Sequence, residues 1–163
     1  MKSCFLIGHR EASSEIQPAL RATIEQHIVE YGVTEFFVGR YGGFDHIAAK
    51  AVIAAKEQHP EIALSMLIPY HPSERHVELP PGFDNTFYPP GMEKIPRRLA
   101  IVRANRYMVD HVDYLIAYAW HPGSNARNLL EYAQNREQNN LISVTALQHQ
   151  QKPTRIDSAR TCD

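Results

Sequence analysis

Short apolar runs that stop at a glycine or a polar turn, each giving way to helical spacing, recur along this chain and restrict what it can fold into. Cys4-Phe5-Leu6-Ile7 ends at Gly8, and Phe36-Phe37-Val38 ends at Gly39. A continuous apolar run of this length suits a strand buried on both faces, as in a parallel sheet. Ile16, Leu20, Ile24, Ile28 and Tyr31 follow the first run at helical spacing, and Gly32 ends the pattern. Ser13 or Ser14 can cap that helix, and Pro18 falls near its first turn, where a missing N–H costs little. A second helical stretch carries the narrow apolar face Ile47, Ala48, Ala51, Val52 and Ala55. Residues 62–68, 112–118 and 141–144 read as further strands, and 94–110 and 126–136 as further helices. This alternation predicts an α/β domain: a Rossmann-like, doubly wound, mainly parallel five-stranded sheet with helices on both faces.

Residues 69–93 break the rhythm. Seven of the eleven prolines fall in this stretch or just past it: Pro69, Pro72, Pro80, Pro81, Pro89, Pro90 and Pro96. Tyr70, His71, His76, Phe83, Phe87 and Tyr88 give the stretch something to pack with. A connection this long is often functional. The expectation is a folded proline-rich lid; the alternative is an insertion that covers the sheet edge.

With 163 residues the chain is long enough for one domain with a real core, taken as 1–147, followed by a polar, non-periodic tail, 148–163, expected to be flexible. Hydrophobic residues make up 44% and charged residues 21%, and the net charge is -1, which argues against a globally basic nucleic-acid binder. No stretch nears the ~18 apolar residues of a membrane span, and the N-terminal apolar run is too short for a signal peptide. A cytoplasmic location is expected. Cys4 reads as a buried thiol, Cys162 lies in the tail, and a disulfide between them is not expected. His71 and His76 have no standard metal-ligand spacing, so neither a metal nor a cofactor is expected.

In a doubly wound sheet, ligands bind outside the carboxyl ends of the strands. Three turns should meet there: Gly8-His9-Arg10, Gly39-Arg40-Tyr41-Gly42-Gly43 and Trp120-His121-Pro122-Gly123-Ser124-Asn125. The glycines let backbone approach a ligand, and the helix starts offer N–H groups to phosphate. The spacing is not the G-x-G-x-x-G dinucleotide fingerprint, so hydride transfer gains no support. Each residue also has a plainer reading. Gly39, Gly42 and Gly43 can form a sharp turn only, and Arg40 is either a bidentate phosphate ligand or a solvated loop arginine. Asp45 caps its helix, bonds ribose hydroxyls, or does both. His9 and Arg10 either contact phosphate, with His9 able to act as an acid, or hold the turn to a neighbouring helix. Gly123 and Ser124 are the best phosphate candidates, and Asn125 beside them can cap and bind at once. Asn105 is expected to support the site from a helix whose arginines are partly surface groups. Tyr41, Tyr70 and Trp120 can stack on a base, Trp120 with a core or interface role as the alternative.

Cys4-Phe5-Leu6-Ile7-Gly8-His9-Arg10 resembles the strand and Gly-His-Arg opening of YpsA-like proteins, a branch of the SLOG superfamily that also holds the DprA/Smf proteins and the LOG enzymes. The glycine turn with Asp45 and Ala48-Ala49 resembles the superfamily's second signature in loose form. Arg103-Ala104-Asn105-Arg106-Tyr107-Met108-Val109-Asp110 resembles an Arg-Asn-x-x-Met-Val-Asp segment, and Gly123-Ser124-Asn125-Ala126-Arg127-Asn128 stands where a phosphate turn precedes a helix. The resemblance spans residues 3–145 and implies a pocket for nucleotides or molecules derived from them.

LOG enzymes cleave the N-glycosidic bond of nucleoside 5'-monophosphates with the motif Pro-Gly-Gly-x-Gly-Thr-x-x-Glu. Here Ser124 replaces the second glycine and Leu130 stands in the place of the catalytic glutamate, with Glu131 one residue on, about 100° around a helix. The expected function is therefore binding, by sensing or sequestration, of a nucleotide-derived signal such as an ADP-ribose-like or cyclic nucleotide. The alternative is a LOG-like N-glycosidase, with Glu131, Asp45 or His9 as the catalyst. The resemblance also implies a homodimer or higher homo-oligomer. DprA-like binding of single-stranded DNA is disfavoured by the charge balance.

Overall fold

The computed structural model describes residues 1–149. The element order is β1 (Lys2–Gly8), α1 (Gln17–Val29), β2 (Val33–Val38), α2 (Gly43–Gln58), β3 (Ala63–Leu67), β4 (Asn85–Phe87), α3 (Ala100–His111), β5 (Tyr114–Tyr118), α4 (Asn125–Glu137) and β6 (Ser143–Ala146). The strands form one sheet in the order β4-β3-β2-β1-β5-β6, every pair parallel. The α/β, Rossmann-like architecture is the expected one, with six strands in place of five. No helix among the described residues is long and apolar enough to cross a membrane. The flexible-tail expectation for 148–163 falls, beyond residue 149, outside the described residues, as does Cys162.

Alternation along β1 explains the two layers. Cys4 and Leu6 pack into the core beneath α1 and α2, whereas Phe5 and Ile7 pack beneath α3 and α4. Strand β5 repeats this, with Ile116 on the first face and Leu115 and Ala117 on the second. Cys4 is fully buried, and burial pushes its thiol well above the ordinary range. Helix α1 presents Leu20, Ile24, His27 and Ile28 to the sheet. It starts without the serine cap expected for it: a 3-10 turn, Ser14–Ile16, leads in, and neither Ser13 nor Ser14 caps α1.

The additional strand, β4, lies inside the proline-rich stretch. It pairs with β3 through Ser65↔Asn85, Met66↔Thr86 and Leu67↔Phe87. Asp84 fixes this pairing: its carboxylate accepts the Leu64 N–H at 2.8 Å and Lys56 Nζ at 2.6 Å. Lys56 also donates to the Gly82 carbonyl at 2.9 Å. Phe87 packs on Phe37 across the sheet face, ring centroids 5.6 Å apart. The stretch is therefore divided. Its second half covers and extends the sheet edge; its first half, from Pro69 to Val77, runs along the carboxyl ends of the strands.

The register sets where those ends lie. Gly8 pairs with Tyr118, and Leu6 with Val38, so β1, β2 and β5 finish at a common edge. From β1 the chain builds outward to β2, β3 and β4, then crosses to β5 on the other side of β1. The switch point is thus between β1 and β5, at Gly8 and Tyr118.

Candidate functional site

The turn after β1 is held from two directions by three backbone hydrogen bonds. The His9 N–H donates to the Tyr118 carbonyl at 3.1 Å, tying the turn to β5. The Phe44 N–H donates to the His9 carbonyl at 3.3 Å, and the Gly43 N–H to the Arg10 carbonyl at 2.9 Å, tying it to the start of α2. Two of the N–H groups expected to await phosphate at α2 are therefore used inside the fold. The glycines serve this approach of two backbones. A Cβ on Gly43 would lie 2.6 Å from the Arg10 carbonyl oxygen and 2.8 Å from that of Ala12. A Cβ on Gly42 would lie 2.9 Å from the Arg10 side chain, and one on Gly8 would enter the ring of the fully buried Phe44 at 2.3 Å.

Asp45 sits in the first turn of α2 but is not its cap; Gly42 holds that position. The Asp45 carboxylate reaches back and accepts the Tyr41 N–H at 3.0 Å, closing the loop. A Cβ on Gly39 would lie 2.8 Å from Asp45 Oδ2, so this glycine leaves the carboxylate its place. Burial raises the Asp45 pKa to about 6, against the opposing pulls of the Tyr41 N–H and the Arg10 guanidinium.

His9 is 7% exposed. Its Nε2 accepts the His121 N–H at 3.0 Å, which requires that nitrogen to be unprotonated and leaves Nδ1 to carry the proton. Burial lowers its pKa, Glu11 opposes this, and His121 and His149 add to it. The ring meets Trp120 edge-on at 5.3 Å. His9 thus ties the first turn to the third.

The third turn ends in a capped helix. Gly123 turns at φ 75°, in the left-handed region that favours glycine. Ser124 Oγ accepts the Arg127 N–H at 3.1 Å as the N-cap and donates to the His121 carbonyl at 2.8 Å, so its one proton is already committed. Arg127 donates from Nη1 to the Ala119 carbonyl at 3.2 Å, fastening the start of α4 to the end of β5. Among the described residues the N–H groups of Asn125 and Ala126 meet no acceptor. This helix start, unlike that of α2, keeps its donors.

One cavity of about 250 Å³ joins these parts. Of the expected residues, Gly8, His9, Arg10, Gly39, Tyr41, Asp45, Asn105, Ser124 and Asn125 line it. The structure puts the others elsewhere. Gly42 and Gly43 pack behind the turn. Arg40 and Tyr70 line a neighbouring hollow of about 270 Å³, which meets the first cavity at Tyr41 and Pro69. Trp120 and Gly123 line another, of about 620 Å³, beyond His9. Glu131 lines none of these; its exposed carboxylate pairs with Arg127 Nε at 3.2 Å.

Sequence reasoning passed over several lining residues. Phe5, Ile7 and Leu67 form an apolar floor from the strands, and Ala104 and Ala126 keep the facing helices from filling the space. Glu11 adds a second carboxylate to the lining. The only signal for it in the chain was its place next to Gly8-His9-Arg10. Asn105 lines this cavity, and its side chain makes no hydrogen bond among the described residues. No group of three or more His, Cys, Asp or Glu gathers as metal ligands among the described residues.

An all-parallel sheet with a cavity at its switch point, between two turns and a capped helix start, defines a Rossmann-like α/β domain. The chain matches no protein-family model and no curated protein. Among solved structures it is similar to DNA processing protein A from Helicobacter pylori, described with its single-stranded DNA binding mode, at TM-score 0.58 and 16% identity over 91% of this chain. It is also similar to the molybdenum cofactor carrier protein MCP from Chlamydomonas reinhardtii, at TM-score 0.54 and 14% identity over 90% of this chain. The chain spans 66% of the first protein, just under two thirds, and 76% of the second. At these identities the likeness is one of fold.

Proposed function

We propose that the chain binds a nucleotide-derived small molecule and holds it without cleaving it, as a member of the YpsA-like branch acting in cytoplasmic signalling. The observation that carries the reading is that a single cavity at the switch point is lined by Asn125 and Ala126, whose N–H groups meet no acceptor among the described residues, and by Asp45 and Asn105. In this reading a phosphate rests on the α4 amides, where N–H donors and the positive end of the helix dipole act together. Asp45 accepts from a ribose hydroxyl, Arg10 adds positive charge at the rim, and Asn105 bonds a polar edge of the ligand. The apolar floor of Phe5, Ile7 and Leu67 receives a sugar or base face.

Holding rather than cleavage is favoured because Asp45 Oδ2 is already committed to the Tyr41 amide and Glu131 pairs away from the cavity. One observation favours the second reading, an N-glycosidase: Asp45, with its pKa raised to about 6, and Glu11 line the same cavity. Titration calorimetry with nucleoside 5'-monophosphates tests binding, and chromatography of the same mixtures tests cleavage. Heat of binding with no free base supports the first reading; steady release of free base supports the second and removes the first. The same proposal takes the protein to be a homodimer, with Leu99 and Val102 at the start of α3 exposed at 37% and 41%. Light scattering giving a monomer mass at micromolar concentration would remove that part.

A further inference from the structure

The hollow of about 270 Å³ beside the main cavity is cationic and aromatic. Arg40, Arg75 and His76 line it together with Tyr41 and Tyr70, and no carboxylate does. The Arg75 guanidinium lies over the Tyr70 ring at 4.6 Å, and the Arg40 guanidinium approaches the Tyr41 ring at 5.8 Å. A guanidinium resting on an aromatic face has its plane set while its N–H fork stays open to a ligand. Among the described residues neither Arg40 nor Arg75 forms an ion pair. Glu74 and Glu93 line a different hollow, which also borders Tyr70.

Two open guanidiniums and an imidazole, without a carboxylate, form a site for an anion. Tyr41 and Pro69 line both this hollow and the main cavity, so the two adjoin. The main cavity alone, about 250 Å³, is smaller than the roughly 300 Å³ at which ligand pockets begin, so a nucleotide seated there must reach into a neighbour. We propose that this annex, built by Arg75 with Arg40 and His76, binds a second phosphate of the same ligand, so that the preferred ligand is a doubly phosphorylated nucleotide and not a nucleoside monophosphate. The proposal rests on the binding function proposed for the main cavity.

Calorimetry on the purified chain tests it with four probes: AMP, ADP, adenosine 3',5'-bisphosphate and inorganic pyrophosphate. ADP or the bisphosphate should bind at least about tenfold more tightly than AMP, the gain expected of one charge-assisted contact. Arg75→Gln should erase that gain and leave AMP affinity within about twofold, while Arg75→Lys should keep part of it. A gain that survives Arg75→Gln, or no gain at all, overturns the annex. If no nucleotide binds, the reading of the main cavity fails separately. The annex then stands only if pyrophosphate binds and Arg75→Gln abolishes it, and falls if it does not. Tighter binding of a single-stranded oligonucleotide than of every mononucleotide, with the same Arg75 dependence, overturns the small-ligand assignment.

Discussion

Replacing Asp45 by asparagine should stabilise the protein at neutral and alkaline pH while weakening ligand binding. The Asp45 carboxyl group is held at a pKa of about 6 against an ordinary 3.8. Each pH unit of separation between folded and unfolded pKa is worth about 1.4 kcal/mol, so the ionised group costs the folded state about 3 kcal/mol. The sign follows from the direction. The folded state holds the proton more tightly than the unfolded chain. The cost is therefore fully present above about 6, falls as the pH drops through that value, and is gone below 3.8. Asparagine removes the charge and keeps an oxygen to accept the Tyr41 N–H, now made at 3.0 Å. Its stabilisation should reach about 2 kcal/mol at pH 8, or about 5 °C in Tm for a domain of this size, and vanish near pH 4. Urea titrations of Asp45→Asn and the parent at pH 8 and pH 4 measure the difference directly. The pairwise comparison cancels the other titrating groups. A variant less stable than the parent at pH 8 would show that the Arg10 attraction outweighs burial, and the reasoning would be refuted. A variant more stable at pH 8 that also loses nucleotide binding would mark the carboxylate as kept for the ligand at a cost in stability.

Three further outcomes follow from the same geometry. Gly43→Ala should destabilise the fold by about 1–3 kcal/mol in urea, because its Cβ meets two backbone carbonyls that only a shift of the first turn can clear; an unchanged midpoint would contradict the close approach. Ser124→Ala should cost about 1 kcal/mol through the lost cap on α4 and weaken binding of a nucleoside monophosphate in calorimetry, since the cap orders the amides beside it. His27 is fully buried, its Nδ1 donates to the Thr23 carbonyl at 2.7 Å, and its Nε2 has no partner. Burial lowers its pKa below 6.5, so the folded state resists the proton and loses stability as the pH falls from 7 to 5; His27→Leu should flatten that slope in urea titrations, and an unchanged slope would assign the acid sensitivity elsewhere.

The parts of the fold that were legible in the sequence are those with unmixed local signals. Cys4 to Ile7 and Leu115 to Ala117 are buried on both faces, so their apolar runs are uninterrupted. The three turns could be assigned to one edge because a parallel sheet leaves its ligand side no other choice. β4 was hidden because its three residues, Asn-Thr-Phe, are too few to show a period and are surrounded by prolines. The work done by the glycine turn was also hidden. Sequence suggests amides open to phosphate, whereas Gly43 and Phe44 donate to carbonyls of the first turn, a contact between segments more than 30 residues apart. The same distance separates Arg40 from Arg75, so their meeting with Tyr70 and Tyr41 had no local trace. In sequence Glu131 and Asp45 are equivalent as carboxylate candidates; in the folded chain one pairs with Arg127 at the surface and the other lines the cavity.

The most direct test of the central claim is a backbone amide NMR titration with a nucleoside 5'-monophosphate. The account predicts the largest shifts at Asn125 and Ala126, whose N–H groups would take the phosphate, with secondary shifts at Tyr41 and Asp45. Absence of shifts at saturating nucleotide, or shifts confined to residues away from the β1–β5 switch point, would contradict it.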